Sequence, residues 1–113
     1  MEVINIKKQH LIKKGYSSLE EWLQDPNHIY IGRNMVCYVK GAVASKWKNP
    51  YTVKKYGIDQ CLQLYEQHIV NSDLYNQLEE LDGKVLGCWC KDDPCHGDIL
   101  VKLLNEKNHL TNT

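Results

Sequence analysis

Residues 87–98 read Gly-Cys-Trp-Cys-Lys-Asp-Asp-Pro-Cys-His-Gly-Asp and hold three of the chain's five cysteines. Three chemistries suit these residue types at this spacing. In the first, Cys95 is a nucleophile or the neighbour of an oxyanion, His96 is an acid/base or a phosphate contact, and Asp98 is the orienting acid. A thiol beside a base and an acid is how a cysteine is activated. In the second, Cys88, Cys90, Cys95 and His96 form a zinc shell. That ligand set is common, but zinc knuckles usually leave two to four residues between cysteines, and adjacent Cys95 and His96 fit poorly around one ion. In the third, the cysteines are small buried hydrophobes and the histidine caps nearby backbone groups. The first is carried forward, with no metal ligand assigned.

These groups need elements to hold them. Lys84 to Cys90 is a short apolar run of strand type, with Leu86, Cys88 and Cys90 on one face and Val85, Gly87 and Trp89 on the other. Pro94 precedes a helix over about 96–107 that turns Ile99, Leu100, Leu103 and Leu104 inward. Cys95 then sits near the helix N-cap, and the amides of His96, Gly97 and Asp98 lack intrahelical partners. A thiolate at Cys95 would be stabilised there, and the same exposed first turn would accept an anion, with Gly97 letting a phosphate come close. Cys88 and Cys90 would line the floor.

Upstream, Glu2–Ile6 is a candidate strand, and Ser17 and Ser18 form overlapping capping boxes with Glu20 and Glu21, starting a helix that stops near Asp25-Pro26. His28–Gly32 and Met35–Val39 are strand-like and suggest a hairpin through Gly32–Asn34, followed by a loop over Ala44–Tyr56. Asp59 is the expected cap of a helix with Cys61, Leu62, Tyr65 and Ile69 on one face. Ser72-Asp73 opens another with Leu74, Tyr75, Leu78 and Leu81, closed by Asp82-Gly83. The tail from His109 is expected to fray.

At 113 residues the chain is read as a single domain, 1–113. Its formal net charge is zero, which gives no global field toward nucleic acid or membrane. The charges are nevertheless segregated. Residues 26–58 carry six basic residues and no acid, and residues 59–83 carry six acids and no lysine or arginine. The start lacks the apolar core of a signal peptide, and no apolar run approaches a membrane span, so a soluble, cytoplasmic protein with reduced cysteines is expected, within the host cell if viral.

The basic third includes Ser45-Lys-Trp-Lys-Asn-Pro-Tyr51, with Tyr38, Trp47, Tyr51 and Tyr56 among the charges. Lysines hold phosphate and aromatic faces stack on bases, so Lys46, Trp47 and Asn49 suit a nucleotide or a single strand. Arg33 is the chain's one arginine and its one candidate for bidentate oxyanion contact. His10, His28, His68 and His109 have no comparable context, and Cys37 and Cys61 read as core residues.

Three stretches together resemble the family of small domains from phages, large DNA viruses and bacteria known as domain of unknown function 4326. Its Ile-Gly-Arg is matched by Ile31–Arg33, its Ser-Lys-Trp-Gly-Asn-Pro-Phe by Ser45–Tyr51, and its Gly-Cys-Trp-Cys-Lys-x-x-Pro-Cys-His-Gly-Asp by Gly87–Asp98. The match spans about residues 29–104. Lys48 stands where the family usually has Gly, Tyr51 where it often has Phe, and the connection 34–44 is longer than usual.

The expected architecture is a compact three-layer, Rossmann-like α/β domain with a mainly parallel central sheet, in which strand 84–90 is internal. The expected function is binding of a nucleotide or nucleoside-like phosphate ligand, with its processing left open, Arg33, Lys46 and Asn49 converging on Cys95–Asp98, and no cofactor. The alternatives are a non-enzymatic module holding nucleic acid or a host protein, and a zinc-stabilised structural domain.

Overall fold

A strand with parallel neighbours on both sides is buried on both faces and reads as a continuous apolar run. Val85-Leu-Gly-Cys88 is such a run, and in the computed structural model, which describes residues 2–89 and 95–111, it is the central strand. The three strands are β1 (Glu2–Asn5), β2 (His28–Tyr30) and β3 (Val85–Cys88), in the order β1-β3-β2. Both pairings are parallel: Glu2 to Asn5 run beside Val85 to Cys88, and His28 to Tyr30 beside Val85 to Gly87. One further ladder bond on each side, Ile6 N–H to the Cys88 carbonyl at 3.1 Å and Ile31 N–H to the Gly87 carbonyl at 3.0 Å, carries the pairing to the carboxyl edge.

The helices are α1 (Lys8–Lys13), α2 (Leu19–Trp22), α3 (Val53–Tyr56), α4 (Ile58–Val70), a 3-10 helix over Asp73–Leu81, and α5 (His96–Thr111). Strand side chains alternate between faces, and so do the two apolar clusters. Val3, Ile29, Leu86 and Cys88 pack with Tyr65 and Ile69 of α4, Leu78 and Leu81 of the 3-10 helix, and Leu100, Leu103 and Leu104 of α5. Ile4, Tyr30, Val85 and Trp89 pack with Leu11 of α1, Leu19 and Trp22 of α2, and Ala42. Gly87 faces the second cluster, where a Cβ would lie 2.7 Å from both Ile6 and the Trp22 ring, so only glycine lets β3 approach that closely. The expectation of an α/β fold around a mainly parallel sheet with an internal third strand thus holds.

Local signals were read correctly where the partner is near in sequence. Ser18 Oγ accepts Glu21 N–H at 3.1 Å and opens α2, and the Ser72 hydroxyl accepts Leu74 N–H at 3.3 Å. Several expectations are corrected. Met35–Val39 is not the second strand of a hairpin: Tyr38 and Val39 return their N–H groups to the Met35 carbonyl, making tight turns, and Tyr38 is 86% exposed. β2 pairs instead with β3, more than fifty residues on. The expected loop 44–56 contains α3, because the Thr52 hydroxyl accepts Lys55 N–H. Gly57, at φ +79°, rather than Asp59, is the N-cap of α4. The segment after Ser72 winds as a 3-10 helix. α5 extends to Thr111, two residues past His109, and the rest of the tail expected to fray lies outside the described residues; Lys107 bonds to the Tyr75 carbonyl and to Glu79, each at 2.8 Å. Among the described residues no helix is long and apolar enough to cross a membrane.

Candidate functional site

In a parallel sheet every strand ends at the same edge, and ligands of open α/β sheets bind outside that edge. Here a cavity of about 420 Å³ lies there, within the range of small-molecule sites. Its wall takes Lys7 from the end of β1, Gly32 and Arg33 from the end of β2, Cys88 and Trp89 from the end of β3, and His96 from the first turn of α5. Asn49, Tyr51 and Cys61 close the opposite side. All three strands and the helix that follows β3 therefore contribute to one cleft.

His96 is buried, and its Nε2 lies 2.7 Å from the Ile31 carbonyl oxygen. A carbonyl can only accept, so Nε2 carries the hydrogen. In neutral imidazole Nδ1 is then the basic nitrogen. Nδ1 faces Cys95 Sγ at 3.8 Å, and the Tyr65 ring packs edge-on against the imidazole at 5.1 Å between centroids. Tyr65 donates to the Trp47 carbonyl at 2.7 Å; burial, with a smaller contribution from Cys95, pushes its phenol well above the ordinary value. One histidine thus ties the first turn of α5 to the end of β2 in one fixed tautomer.

Cys95 begins α5 as a cap. Gly97 N–H points at Cys95 Sγ at 3.4 Å, while Cys95 N–H donates to Asp98 Oδ2 at 3.0 Å, the reciprocal pattern of a capping box with a thiol in place of the usual hydroxyl. Cys88 Sγ lies 2.7 Å from Cys95 Sγ. Both belong to the core, and of the two Cys88 lines the cavity.

The rim is held by Tyr30. Its hydroxyl accepts from Trp89 Nε1 at 2.6 Å and donates to the Arg33 carbonyl, so the residues that follow β2 and β3 share one anchor. Burial raises the Tyr30 phenol above its ordinary value, opposed by the Trp89 bond. Asn49 Oδ1 accepts Tyr51 N–H at 2.9 Å and its amide approaches Cys61 Sγ at 3.3 Å, which fixes the far wall. Among the described residues neither Lys7 nor Arg33 pairs with a carboxylate.

The structure brings Arg33, Asn49, Cys88 and His96 together at the cavity, with Cys95 beside Cys88 and His96, and gives Lys46, Trp47, Gly97 and Asp98 other places. Lys46 does not converge on the cleft: its ammonium bonds to Gln77 and, at 2.6 Å, to Glu80 on the 3-10 helix. Trp47 is 2% exposed and belongs to the core, with no face for a base. At Gly97 a Cβ would lie 2.8 Å from Val3 and 3.0 Å from Ile31, so the glycine allows close packing of α5 on the sheet. The first turn is not exposed: Cys95, His96 and Gly97 are buried, and the Cys95, Gly97 and Asp98 amides are engaged within the turn. Asp98 is exposed and caps Cys95 instead of orienting the imidazole. Cys90 lies outside the described residues. The zinc reading requires it, and among the described residues no group of three or more His, Cys, Asp or Glu is placed to hold a metal ion. Lys7, Trp89 and Cys61 went unnoticed as wall residues. The signal for the first two was topological: each lies within two residues of the end of a parallel strand.

A parallel α/β domain with a cleft across its carboxyl edge is the class that fold and geometry define. The chain belongs to the family Domain of unknown function (DUF4326), whose sequence model matches residues 16–106, beginning before α2. It is similar to an uncharacterised protein of Acanthamoeba polyphaga mimivirus, 41% identical over 87 residues covering 66% of this chain and 65% of that protein. It is also similar to an uncharacterised 12.4 kDa protein in the nrdA-td intergenic region of Enterobacteria phage T4, 57% identical over 28 residues, 25% of this chain and 26% of that one. The chain thus spans less than two thirds of the length of either relative. No solved structure matches it.

Proposed function

We propose that the cleft binds a nucleotide or nucleoside-like phosphate ligand. The observation that carries this is the pair of cations, Lys7 and Arg33, without carboxylate partners among the described residues, at a largely apolar cavity that also presents Asn49, Tyr51, Trp89 and His96. Arg33 offers the planar fork that a phosphate accepts in bidentate fashion, Lys7 adds a point charge, and the rings of Tyr51 and Trp89 supply the aromatic surface a base needs. This reading takes the helices against the two sheet faces as the outer layers of a three-layer, Rossmann-like arrangement, with the ligand at the strand ends. For processing of the bound ligand, His96 is the proton-transfer group, since it is the member of Cys95, His96 and Asp98 that reaches the wall. Lys46 and Trp47, engaged elsewhere, take no part, which removes two contacts from the single-strand alternative.

Thermal shift and calorimetric titration with nucleoside monophosphates, the matching nucleosides and inorganic phosphate test the proposal. A monophosphate should raise the melting temperature more than its nucleoside or phosphate alone, and Arg33→Ala should abolish the difference. Equal response to nucleoside and monophosphate, or none to either, would refute it.

A further inference from the structure

Cys88 and Cys95 lie seven residues apart, one at the end of β3 and the other at the start of α5, and their sulfurs are 2.7 Å apart. A disulfide is about 2.05 Å long, so these two backbones hold the thiols within about 0.7 Å of bonding distance. The two positions are not equivalent. Both are buried, but Cys88 forms part of the cavity wall, whereas Cys95 does not and lies next to His96 Nδ1 at 3.8 Å and Gly97 N–H at 3.4 Å. A cavity-lining thiol in contact with a second thiol that has a base and an amide donor beside it is the layout of a thiol–disulfide exchange pair.

We infer that Cys88 and Cys95 form a reversible redox couple that exchanges with a low-molecular-weight disulfide entering the cleft. Cys88 thiolate attacks one sulfur of the disulfide RSSR, forming the mixed disulfide Cys88–S–S–R and expelling RS⁻, which takes up the proton that left Cys88. Cys95 then attacks Cys88 Sγ from the core side while the second RS⁻ leaves toward the cavity. The Cys95 proton passes to His96 Nδ1 and on to the departing thiolate. Both cysteine thiols are oxidised, RSSR is reduced to two RSH, and the reverse sequence with excess RSH restores the dithiol. This couple stands independently of the nucleotide proposal. The two meet in space, because an oxidised Cys88 alters the floor of the same cleft.

The test treats the reduced full chain with oxidised glutathione, blocks remaining thiols by alkylation under denaturing conditions, and maps the cysteines by non-reducing peptide mass spectrometry. The expected product links Cys88 to Cys95. Cys95→Ser should instead accumulate glutathione on Cys88, at least tenfold above wild type, and Cys88→Ser should give neither the link nor glutathione on Cys95. Dithiothreitol should return both thiols, and circular dichroism of each variant confirms that it is folded. Glutathione confined to the exposed Cys37 would overturn the inference. So would a Cys90 link to either residue in place of the Cys88–Cys95 bond, or both thiols recovered fully alkylated.

Discussion

Two stretches of the basic third each carry a cation and have opposite structural use. Gly32-Arg33 follows β2 and lines the cleft, with no carboxylate paired to Arg33 among the described residues, whereas Lys46-Trp47 points an ammonium at Glu80 and buries the indole. Both read in sequence as candidate phosphate contacts. What separates them is the neighbour supplied by the fold: the acidic 3-10 helix lies against the second stretch and neutralises it, while the carboxyl edge of the sheet leaves the first charge available. Segregated charge along a chain can therefore be internal complementarity as readily as a ligand field.

Four substitutions test this contrast and the packing around it. Trp47→Ala should lower stability by about 3–5 kcal/mol, read from the urea midpoint, because a large buried ring is lost; a loss below about 1 kcal/mol would mean the indole is a surface group after all. Gly97→Ala should cost about 1–3 kcal/mol through overpacking against Val3 and Ile31. If instead stability were unchanged and anion affinity fell, the glycine would belong to the ligand. Tyr65→Phe leaves the buried Trp47 carbonyl without its donor and should cost about 1–3 kcal/mol near neutral pH. The sign of its pH dependence follows from the raised phenol. The folded state holds the proton more tightly than the unfolded chain, so this contribution is complete below about pH 10 and lost as pH rises above it. Stability of the Phe variant should consequently fall less steeply in alkali than that of wild type. Lys46→Ala should have the smallest effect, within about 1 kcal/mol, since its ion pair is half exposed and screened by solvent.

The structure also divides what could be read from residues from what could not. The Ser18 cap, the alternation of Leu86 and Cys88 against Gly87 and Trp89, and the inward stripe of α5 were legible because each follows from a period or a partner within a few residues. Met35–Val39 was misread because strand-like residues do not reveal whether a strand partner exists. β2 satisfied its ladder with β3, and the later segment closed its hydrogen bonds on itself. The cleft was half legible. Arg33, Asn49, Cys88 and His96 stand out by type, but the placement of Lys7 beside them depends on β1 being parallel to β3, and the removal of Lys46 depends on Glu80, thirty-four residues away. The buried first turn of α5 was hidden for a similar reason, since Gly97 signals close approach without saying what approaches.

The most direct measurement is a titration of one nucleoside monophosphate against wild type, Arg33→Ala and Lys46→Ala, with all three confirmed folded by their melting temperatures. Affinity should fall about tenfold or more for Arg33→Ala, as expected for loss of a charge-assisted bidentate contact, and stay within about twofold of wild type for Lys46→Ala. Equal losses in both variants, or a larger loss for Lys46→Ala, would contradict the assignment of the anion site to the carboxyl edge of the sheet.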